Sequence, residues 1–298
     1  MTTDFPHIQR IVRFSLTTAD AERAAQFYEA AFGCRRIGTD RLGGPDFERL
    51  ICVDGGAKRI TLRLGRETVE LLQFDVPGRR YPQAASSYDL FFQHFAIVVP
   101  DMERAFQRLS GVAGWQPISM GGPQRLPASS GGVIAFKFRD PEGHPLELLA
   151  FPESGDPRWQ KAADGETCLG IDHTAIGVSN TGGSVAFYES FGLAASARSF
   201  NYGSAQQRLD DLADVEVDVT ALAPPDGTPH LELLCYRNTR GGCQPPTRAP
   251  RGNDIVSTRI VFEGAGQDGD LLVRDPDGHA LLLVSRASPR WPPAGART

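Results

Sequence analysis

Short apolar segments that end at or near an aromatic residue recur along the sequence. They occur as VELLQF at residues 69–74, LELLAF at 146–151 and LELLCY at 231–236, whereas a fourth copy, LLLVSR at 281–286, lacks the acidic residue. Runs of this length and composition are typical of buried β-strands. Four further runs are predicted as strands: ERLICVD (48–54), RITLRLG (59–65), VIAFKFRD (133–140) and EVDVTALA (216–223).

Three helices are predicted between these strands, over about residues 20–32, 102–109 and 183–191. Each segment has apolar positions three and four residues apart and begins beside Asp or Asn, whose side chain can accept hydrogen bonds from free N–H groups. Gly33 and Gly192 follow two of the segments and suit the left-handed conformation that often ends a helix.

The order β-α-β-β-β repeats along the chain, which defines four modules. Module 1 covers about residues 9–75, module 2 about 91–151, module 3 about 171–237 and module 4 about 254–286. Module 4 keeps its first and last strands, but only residues 264–269 stand where its helix would be, so it is a degenerate copy. The predicted fold class is therefore α+β, built from four βαβββ modules.

Two motifs mark equivalent points of the modules. FYEAAFG (27–33) and FYESFG (187–192) end two helices, and the turns RDPEGHP (139–145) and RDPDGHA (274–280) precede two last strands. Together with a histidine in the first strand of modules 2 and 3, this order of elements resembles the vicinal oxygen chelate superfamily, the group of glyoxalases, bleomycin-resistance proteins and extradiol dioxygenases. The resemblance implies cup-shaped sheets, each built from two modules, with a metal held by their first and last strands.

The resemblance also suggests how the chain is divided. Modules 1 and 2 would occupy residues 9–151 and modules 3 and 4 residues 171–286, with linkers at 152–170 and 238–253. Superfamily members with four modules pair them either sequentially or in a nested way, which would be 2 with 3 and 1 with 4. We expect the nested arrangement, because it leaves no candidate ligand without a partner.

The family pattern places two candidate ligand positions in each module. In chain order these are Arg13 and Glu70, His94 and Glu147, His173 and Glu232, and Ser257 and Leu282. Only modules 2 and 3 carry a complete His and Glu pair, so the resemblance implies a metal bound by His94, Glu147, His173 and Glu232. Glu70 is expected to form a salt bridge with Arg13 in a metal-free cup.

The strand pattern supports a site at Glu147 independently of the resemblance. Side chains alternate along a strand, so Glu147 shares one face with Leu149 and Phe151. A carboxylate in the middle of such an apolar strand is costly to bury unless a cation accompanies it. A divalent metal or an arginine would meet that requirement.

Three histidines and two short segments are weaker candidates for a chemical role. His230 lies two residues before Glu232, on the same face, and could substitute as a ligand or carry a proton. His144 and His279 lie in the duplicated turns and are expected to have a structural role there. The segments DPRW (156–159) and SPRW (288–291) are expected to close the ends of the cups with a tryptophan.

Two imidazoles and two carboxylates suit Fe, Mn, Co, Ni or Zn, and four protein ligands on an octahedral ion leave two open positions. The set most resembles glyoxalase-like enzymes, in which a divalent metal binds vicinal oxygens of a small substrate for lyase or isomerase chemistry; Glu147, Glu232 and His230 are the candidate proton carriers. The first alternative is an Fe(II) extradiol ring-cleaving dioxygenase, and the second is a non-catalytic binding protein of the resistance type. The sequence has no convincing glutathione or CoA signature.

Composition limits the expected partners and the expected location of the protein. The 298 residues carry 31 basic and 36 acidic side chains, a net charge of −5, without a dense basic stripe, so nucleic acid is not an expected partner. The amino terminus does not have the pattern of a secretory signal, and the most apolar stretch, residues 90–99, is too short to span a bilayer. The 5 cysteines lack CxxC spacing, which favours a cytoplasmic protein. A small-molecule substrate is the expected partner, and the sequence leaves a homodimer open.

Overall fold

The computed structural model describes residues 6–153, 155–159, 166–237, 249–265 and 269–285. Within these residues the chain forms five α-helices and two β-sheets. The predicted α+β class is confirmed. No helix in this described part combines the length and the apolar character that a membrane-spanning segment needs.

The elements follow the order of the modules. Module 1 contains β1 (His7–Thr17), α1 (Ala21–Phe32), β2 (Arg35–Leu42), α2 (Pro45–Ile51), β3 (Ala57–Leu64) and β4 (Glu67–Phe74). Module 2 contains β5 (Gln93–Val98), α3 (Met102–Ser110), β6 (Gln116–Pro117), β7 (Gln124–Arg125), β8 (Ile134–Arg139) and β9 (Pro145–Ala150). A short 3₁₀ turn, Pro157–Trp159, lies in the linker that follows.

The second half of the chain continues in the same way. Module 3 contains β10 (Gly170–Gly177), α4 (Thr181–Ser190), β11 (Ala194–Tyr202), α5 (Gly203–Asp210), β12 (Glu216–Ala223) and β13 (His230–Tyr236). Module 4 contains β14 (Arg259–Ala265), β15 (Leu271–Arg274) and β16 (Ala280–Ser285). Part of the 264–269 segment and all of the SPRW segment lie outside the described residues.

The three predicted helices form and begin as expected. The Asp20 carboxylate accepts hydrogen bonds from two N–H groups in the first turn of α1. Asp101 and Asn180 cap α3 and α4 with their side chains in the same way. At the other end of α1, Gly33 has a φ angle of 72°, the left-handed conformation that glycine adopts at little cost.

The prediction of a strand over residues 48–54 is wrong, because most of this segment belongs to α2 or follows it. Pro45 starts the helix, where its missing N–H would have no intrahelical partner in any case. Phe47 and Ile51 lie one helical turn apart and are both buried. This four-residue spacing of two buried side chains favours a helix. The strand prediction used only the short apolar run and not this spacing.

Strand pairing joins module 1 with module 4 and module 2 with module 3. One sheet has seven strands in the order β15-β16-β14-β1-β4-β3-β2, all from modules 1 and 4. The other has the order β11-β12-β13-β10-β5-β9-β8-β6, with β7 paired to β8, all from modules 2 and 3. The strand order is thus that of nested pairing, while the module boundaries stay predictions.

The two sheets share one apolar core. Its largest cluster contains residues from α1, α3 and α4 and from strands of both sheets. Phe14 of β1 stacks on Phe95 of β5, with 5.4 Å between the ring centroids. Helices α1, α3 and α4 thus fill the space on one side of both sheets and leave the opposite faces as the candidate cups.

The repeated tyrosines connect consecutive modules. The Tyr28 hydroxyl of module 1 donates to Asp140 of the module 2 turn, at 3.2 Å. In the same way, the Tyr188 hydroxyl of module 3 donates to Asp275 of the module 4 turn, at 3.0 Å. Modules that do not share a sheet are therefore joined by a buried hydrogen bond between the FYE and DPxGH motifs.

The turn histidines reinforce these connections. His144 Nδ1 lies 2.8 Å from Asp140 Oδ2, and His144 Nε2 lies 2.9 Å from the carbonyl oxygen of Thr17. His279 Nε2 donates to the carbonyl of Gly177 at 2.8 Å. Both side chains have the structural role that was expected for them.

We expect His144 to make stability depend on pH. Burial by itself lowers the pKa of His144, but the Asp140 carboxylate outweighs it, and the pKa lies above its ordinary value. The stabilisation by charged His144 is complete below the ordinary histidine pKa of about 6.5 and is lost as pH rises through the elevated value. His144→Gln should lower the free energy of unfolding by about 1.5–3 kcal/mol at pH 6, and by less at higher pH.

Urea unfolding between pH 6 and pH 9 measures this difference. His279→Gln provides the matched turn variant in module 4. The prediction fails if the native protein and His144→Gln differ by the same free energy at every pH.

Candidate metal centre

The register of β5 against β10 determines where the two candidate histidines lie. These central strands are antiparallel, with His94 opposite Ala175 and His173 opposite Ala96. The two positions are therefore related by a local two-fold axis and face the same side of the sheet. Their ring centroids are 6.0 Å apart.

The two candidate glutamates lie on the strands that flank this pair. β9 runs parallel to β5 with Glu147 in register with Ala96, and β13 runs parallel to β10 with Glu232 in register with Ala175. Both carboxylates are thereby placed on the same face of the sheet as the histidines. The four side chains line one cavity.

Glu147 lies between the two histidines. Its Oε2 atom is 3.2 Å from His94 Nε2 and 3.6 Å from His173 Nε2. One ligand atom of each of the three residues lies within 4.8 Å of the other two. Glu232 reaches the same His173 Nε2 atom with its Oε2 at 3.5 Å. The four atoms thus form a chain in which Glu232 is adjacent to His173 only.

The electrostatics favour ionised carboxylates in this cluster. Burial raises the pKa of Glu147, but hydrogen bonds with His173 and His94 reverse the effect and hold it well below its usual range. The pKa of Glu232 is also lowered, because His173 and His230 outweigh burial. His94 shifts in the opposite direction, since burial lowers its pKa more than Glu147 raises it. The pKa of His173 is raised, because Glu232, Asp172 and Glu147 outweigh burial. Anionic carboxylates and neutral imidazoles are the forms that bind a metal, so a bound ion would take the place of a proton on His173.

The donor set fits a divalent ion. Nitrogen and oxygen donors at about 2.0–2.2 Å from one ion are separated from each other by about 3.0–3.5 Å at adjacent positions. The observed separations of 3.2, 3.6 and 3.5 Å match this spacing closely. His94, Glu147 and His173 could therefore hold an ion together, and Glu232 lies beside them, adjacent to His173.

Asp172 is a residue of this site that the sequence analysis missed. It is buried, and its Oδ2 atom lies 3.1 Å from His173 Nδ1, on the side of the ring opposite the candidate ligand atom. Such a contact fixes the tautomer and orientation of a metal-binding histidine. An acidic residue directly before the first-strand histidine is the signal that could have identified it.

His230 lies at the edge of the cluster, where it contacts two carboxylates. Its Nε2 atom is 3.5 Å from Glu232 Oε1, and its Nδ1 atom is 3.8 Å from Asp172 Oδ2. With 17% of its side chain exposed, against 7% for His173, it is the more open of the two rings. The structure therefore places it beside Glu232, as the sequence predicted, and within reach of the cavity.

The cavity itself has a volume of about 440 Å³, which is within the range for small-molecule sites. Much of the remaining wall is apolar: Leu126, Val133, Ala135, Leu149, Phe151, Leu209, Val217, Val219, Ala221 and Leu234. A small organic molecule could therefore contact the donor cluster with one end and the apolar wall with the other.

A buried ion pair holds α5 over the cavity. Lys137, opposite Glu147 on β8, donates from Nζ to Asp210 Oδ1 at 2.6 Å. Asp210, the last residue of α5, also accepts hydrogen bonds from Gln206 and Tyr236. Burial lowers the pKa of Lys137, but Asp210 and Glu147 raise it above its ordinary value, so the ammonium stays charged. This network connects α5 to the sheet of both modules.

The seven-stranded sheet has arginines where the other sheet has histidines. Arg13 lies opposite Val261 and Arg259 opposite Ser15, which is the same two-fold relation that links His94 with His173. The assignment of Ser257 as the module 4 position is therefore wrong by two residues, since Arg259 occupies it. Leu282, in register with Val261, lies where it was predicted.

Arg13 and Arg59 neutralise Glu70 inside the sheet. Glu70 Oε1 lies 3.4 Å from Arg13 Nε and 3.1 Å from Arg59 Nη1. The predicted contact of Glu70 with Arg13 is present. Arg259 instead donates to backbone carbonyls and to Thr17, and burial lowers its pKa to about 10, so it remains a cation. Guanidinium groups repel a metal ion, and this face is not a candidate metal centre.

Comparison with solved structures shows the same fold in other proteins. A mutant form of glyoxalase I from Zea mays superposes with a TM-score of 0.57 at 18% identity, covering 93% of this chain and 92% of that chain. Glyoxalase I from Zea mays itself gives a TM-score of 0.54 at 17% identity, covering 93% and 92%. A Bacillus subtilis protein provisionally named a dioxygenase gives 0.54 at 12% identity, covering 96% and 88%.

Sequence comparison agrees with the fold. A search of curated proteins finds no match. The family model described as Glyoxalase/Bleomycin resistance protein/Dioxygenase superfamily matches residues 8–148. Module 3 repeats the elements of module 1 in the same order, and the described part of module 4 contains three strands. Residues 8–148 thus match this family by sequence, and the described chain has the fold of the glyoxalase I structures.

Proposed function

We propose that this protein is a glyoxalase-like metalloenzyme that binds two adjacent oxygens of a small substrate and moves a proton in a lyase or isomerase reaction. The observation that carries the proposal is the convergence of His94, Glu147 and His173 on one point of a cavity, with Glu232 beside them. The match of residues 8–148 to the family model makes such a metal site plausible, and the donor geometry supports its location.

The donor chemistry suggests what the site binds. Two nitrogens and two oxygens suit Fe, Mn, Co, Ni or Zn, and four protein donors leave two positions of an octahedral ion for a bidentate substrate. When bound, such an ion acts as a Lewis acid that polarises the two substrate oxygens. The apolar wall of the cavity orients the rest of the substrate and limits access of water.

Of the two carboxylates, Glu232 is the better candidate for the proton carrier. Glu147 is enclosed between two histidines with 7% of its side chain exposed, whereas Glu232 has 23% exposed and contacts one of them. His230 Nε2 lies 3.5 Å from Glu232 and is open to the cavity, so it can pass the proton onward. We therefore assign Glu232 as the base, His230 as its relay, and Glu147 chiefly as a ligand.

One observation favours a second candidate function, that of an Fe(II) extradiol dioxygenase. The mutually close group contains two histidines and one carboxylate, the ligand set of many non-haem iron oxygenases. If Glu232 stands away from the metal, a third position opens for O₂ and His230 can act as acid or base. The two functions therefore differ in whether Glu232 is a ligand.

We expect the native protein to bind one divalent metal per chain. Glu147→Gln should reduce the affinity at least tenfold, because it removes the charged donor that both histidines approach. Glu70→Gln is the matched control on the seven-stranded sheet. It should lose about 3–5 kcal/mol of stability, since it removes the buried carboxylate that Arg13 and Arg59 both contact, yet keep the metal stoichiometry.

Elemental analysis after reconstitution with Fe, Mn, Co, Ni or Zn measures the stoichiometry, and chelator competition gives the affinity. A native protein that retains none of these metals contradicts the proposal. So does a Glu70→Gln variant that folds and loses the metal.

The reaction class is decided by Glu232. If it is the base, Glu232→Gln should keep the metal and lower kcat by about 10²–10⁴, with a smaller loss for His230→Gln. The native enzyme is assayed with Ni or Co and α-ketoaldehyde thiol adducts, and with Fe(II) and a catechol panel in an oxygen electrode. Product formation without oxygen uptake supports proton transfer, whereas oxygen uptake with a yellow ring-cleavage product establishes the dioxygenase.

A further inference from the structure

A β-bulge places Asp172 in the site. The register of β10 against β5 shifts between Ile171 and His173, so Asp172 is the extra residue with no partner on the neighbouring strand. Bulges of this kind re-aim a side chain and are frequent beside functional sites. Here the bulge turns Asp172 toward the ring of the histidine that follows it.

The same bulge occurs in the seven-stranded sheet with different chemistry. There the register of β1 against β14 shifts between Ile11 and Arg13, and the extra residue is Val12. The backbone feature is therefore common to both sheets, whereas the acidic side chain occurs only beside the histidine. The bulge therefore belongs to the fold, whereas the carboxylate belongs to the site that contains His173.

The linker between modules 2 and 3 fixes the other oxygen of Asp172. Trp159 Nε1 donates to Asp172 Oδ1 at 3.0 Å, and Arg158 Nη2 donates to the same oxygen at 3.1 Å. The Arg158 guanidinium also stacks on the Trp159 ring, 4.5 Å from its centroid. The 3₁₀ turn Pro157–Trp159 thus holds both donors in one arrangement.

The two candidate histidines differ as a result. His173 Nδ1 is bonded to Asp172 Oδ2, while His94 Nδ1 is buried with no hydrogen-bond partner among the described residues. A carboxylate that accepts a hydrogen bond from Nδ1–H leaves the Nε2 lone pair directed at the donor cluster. Asp172 Oδ2 also lies 3.8 Å from His230 Nδ1, so it borders both rings of module 3.

We propose that Asp172 is the positioning residue of this site and that the Arg158 and Trp159 side chains of the linker are required to hold it. The linker turn is then part of the metal centre, although none of its residues contacts the donor atoms. The metal-related part of this inference rests on the proposed function, whereas the hydrogen bond from Asp172 to His173 exists without a metal.

The first test uses the metal-free protein. Proteins labelled with ¹⁵N in histidine report the tautomer of His173 by NMR, with His173→Gln for assignment. We expect the Nδ1–H form, or the doubly protonated ring, in the native protein. Asp172→Ala should give mixed tautomers. A His173 signal that is unchanged in Asp172→Ala overturns the proposal, whether or not the protein binds metal.

The second test uses Co(II), whose absorption spectrum reports ligand geometry. Asp172→Ala should weaken Co(II) binding about 10–100-fold and change the spectrum. The Co(II) affinity of Asp172→Asn should lie between that of Asp172→Ala and that of the native protein. The amide oxygen still accepts a hydrogen bond from Nδ1–H but carries no charge. Failure of the native protein to bind Co(II) or another divalent metal would refute the proposed function and leave the tautomer test decisive for Asp172.

The third test isolates the linker. Trp159→Phe keeps an aromatic ring and removes the N–H donor, and Arg158→Gln removes the charge. Each should change the Co(II) spectrum in the same direction as Asp172→Ala, by a smaller amount. Trp115→Phe is the matched control, since Trp115 packs against Phe106 and Phe136 away from the site. Equal effects of Trp159→Phe and Trp115→Phe, or none from either linker variant, contradict the role of the linker.

Discussion

The antiparallel pairing of β5 with β10 is the contact on which the candidate site depends. It brings His94 and His173 to one face and places Ala175 and Ala96 opposite them. Both alanines are fully buried, and their small side chains leave space between the imidazoles. A slip of one residue in this register would move each histidine to the helix-covered face, where the core has no room for it. The register therefore has to be fixed before any of the chemistry can exist.

The two sheets place a buried glutamate at the same backbone position and surround it with different basic side chains. Glu70 and Glu147 occupy equivalent positions on buried last strands, and neither carboxylate can be buried without a cation. Around Glu70 the cations are guanidinium groups, and Phe47 and Ile51 of α2 pack within the apolar cluster of that face. Around Glu147 two imidazoles approach, and α5 is held by the Lys137–Asp210 pair at the margin of an open cavity. In the first arrangement Glu70 is paired with cations of the chain itself, whereas the second opens onto a cavity.

The sequence predicted the features whose motifs repeat and missed those that share no motif or depend on register. Duplicated runs and motifs gave the α+β class, the three capped helices and the order of elements, because a repeated pattern reports the same physical requirement several times. The short helix α2 was predicted as a strand, and α5, at the equivalent place in module 3, was not predicted, because the two segments share no sequence motif that would mark them as copies. The module 4 position was placed at Ser257 because a degenerate strand gives no local mark of its register, which only the pairing of β14 with β1 defines. Asp172 was missed for a related reason: strict alternation directs it away from the site, and the bulge reverses that direction.

The chain uses two different contacts to join its modules, and the candidate site needs both. Sheets join module 2 with module 3, while the tyrosine and turn contacts join module 1 with module 2 and module 3 with module 4. Modules 1 and 4 share the remaining sheet, so the four contacts close a ring in which no module can shift alone. The seven-stranded sheet therefore contributes to the candidate site. It holds modules 1 and 4 together, and the tyrosine contacts to Asp140 and Asp275 connect these modules to the ones that carry His94 and His173. Rigidity at the donor cluster follows from this closed ring, since the spacing of donors on two modules is set by contacts in all four.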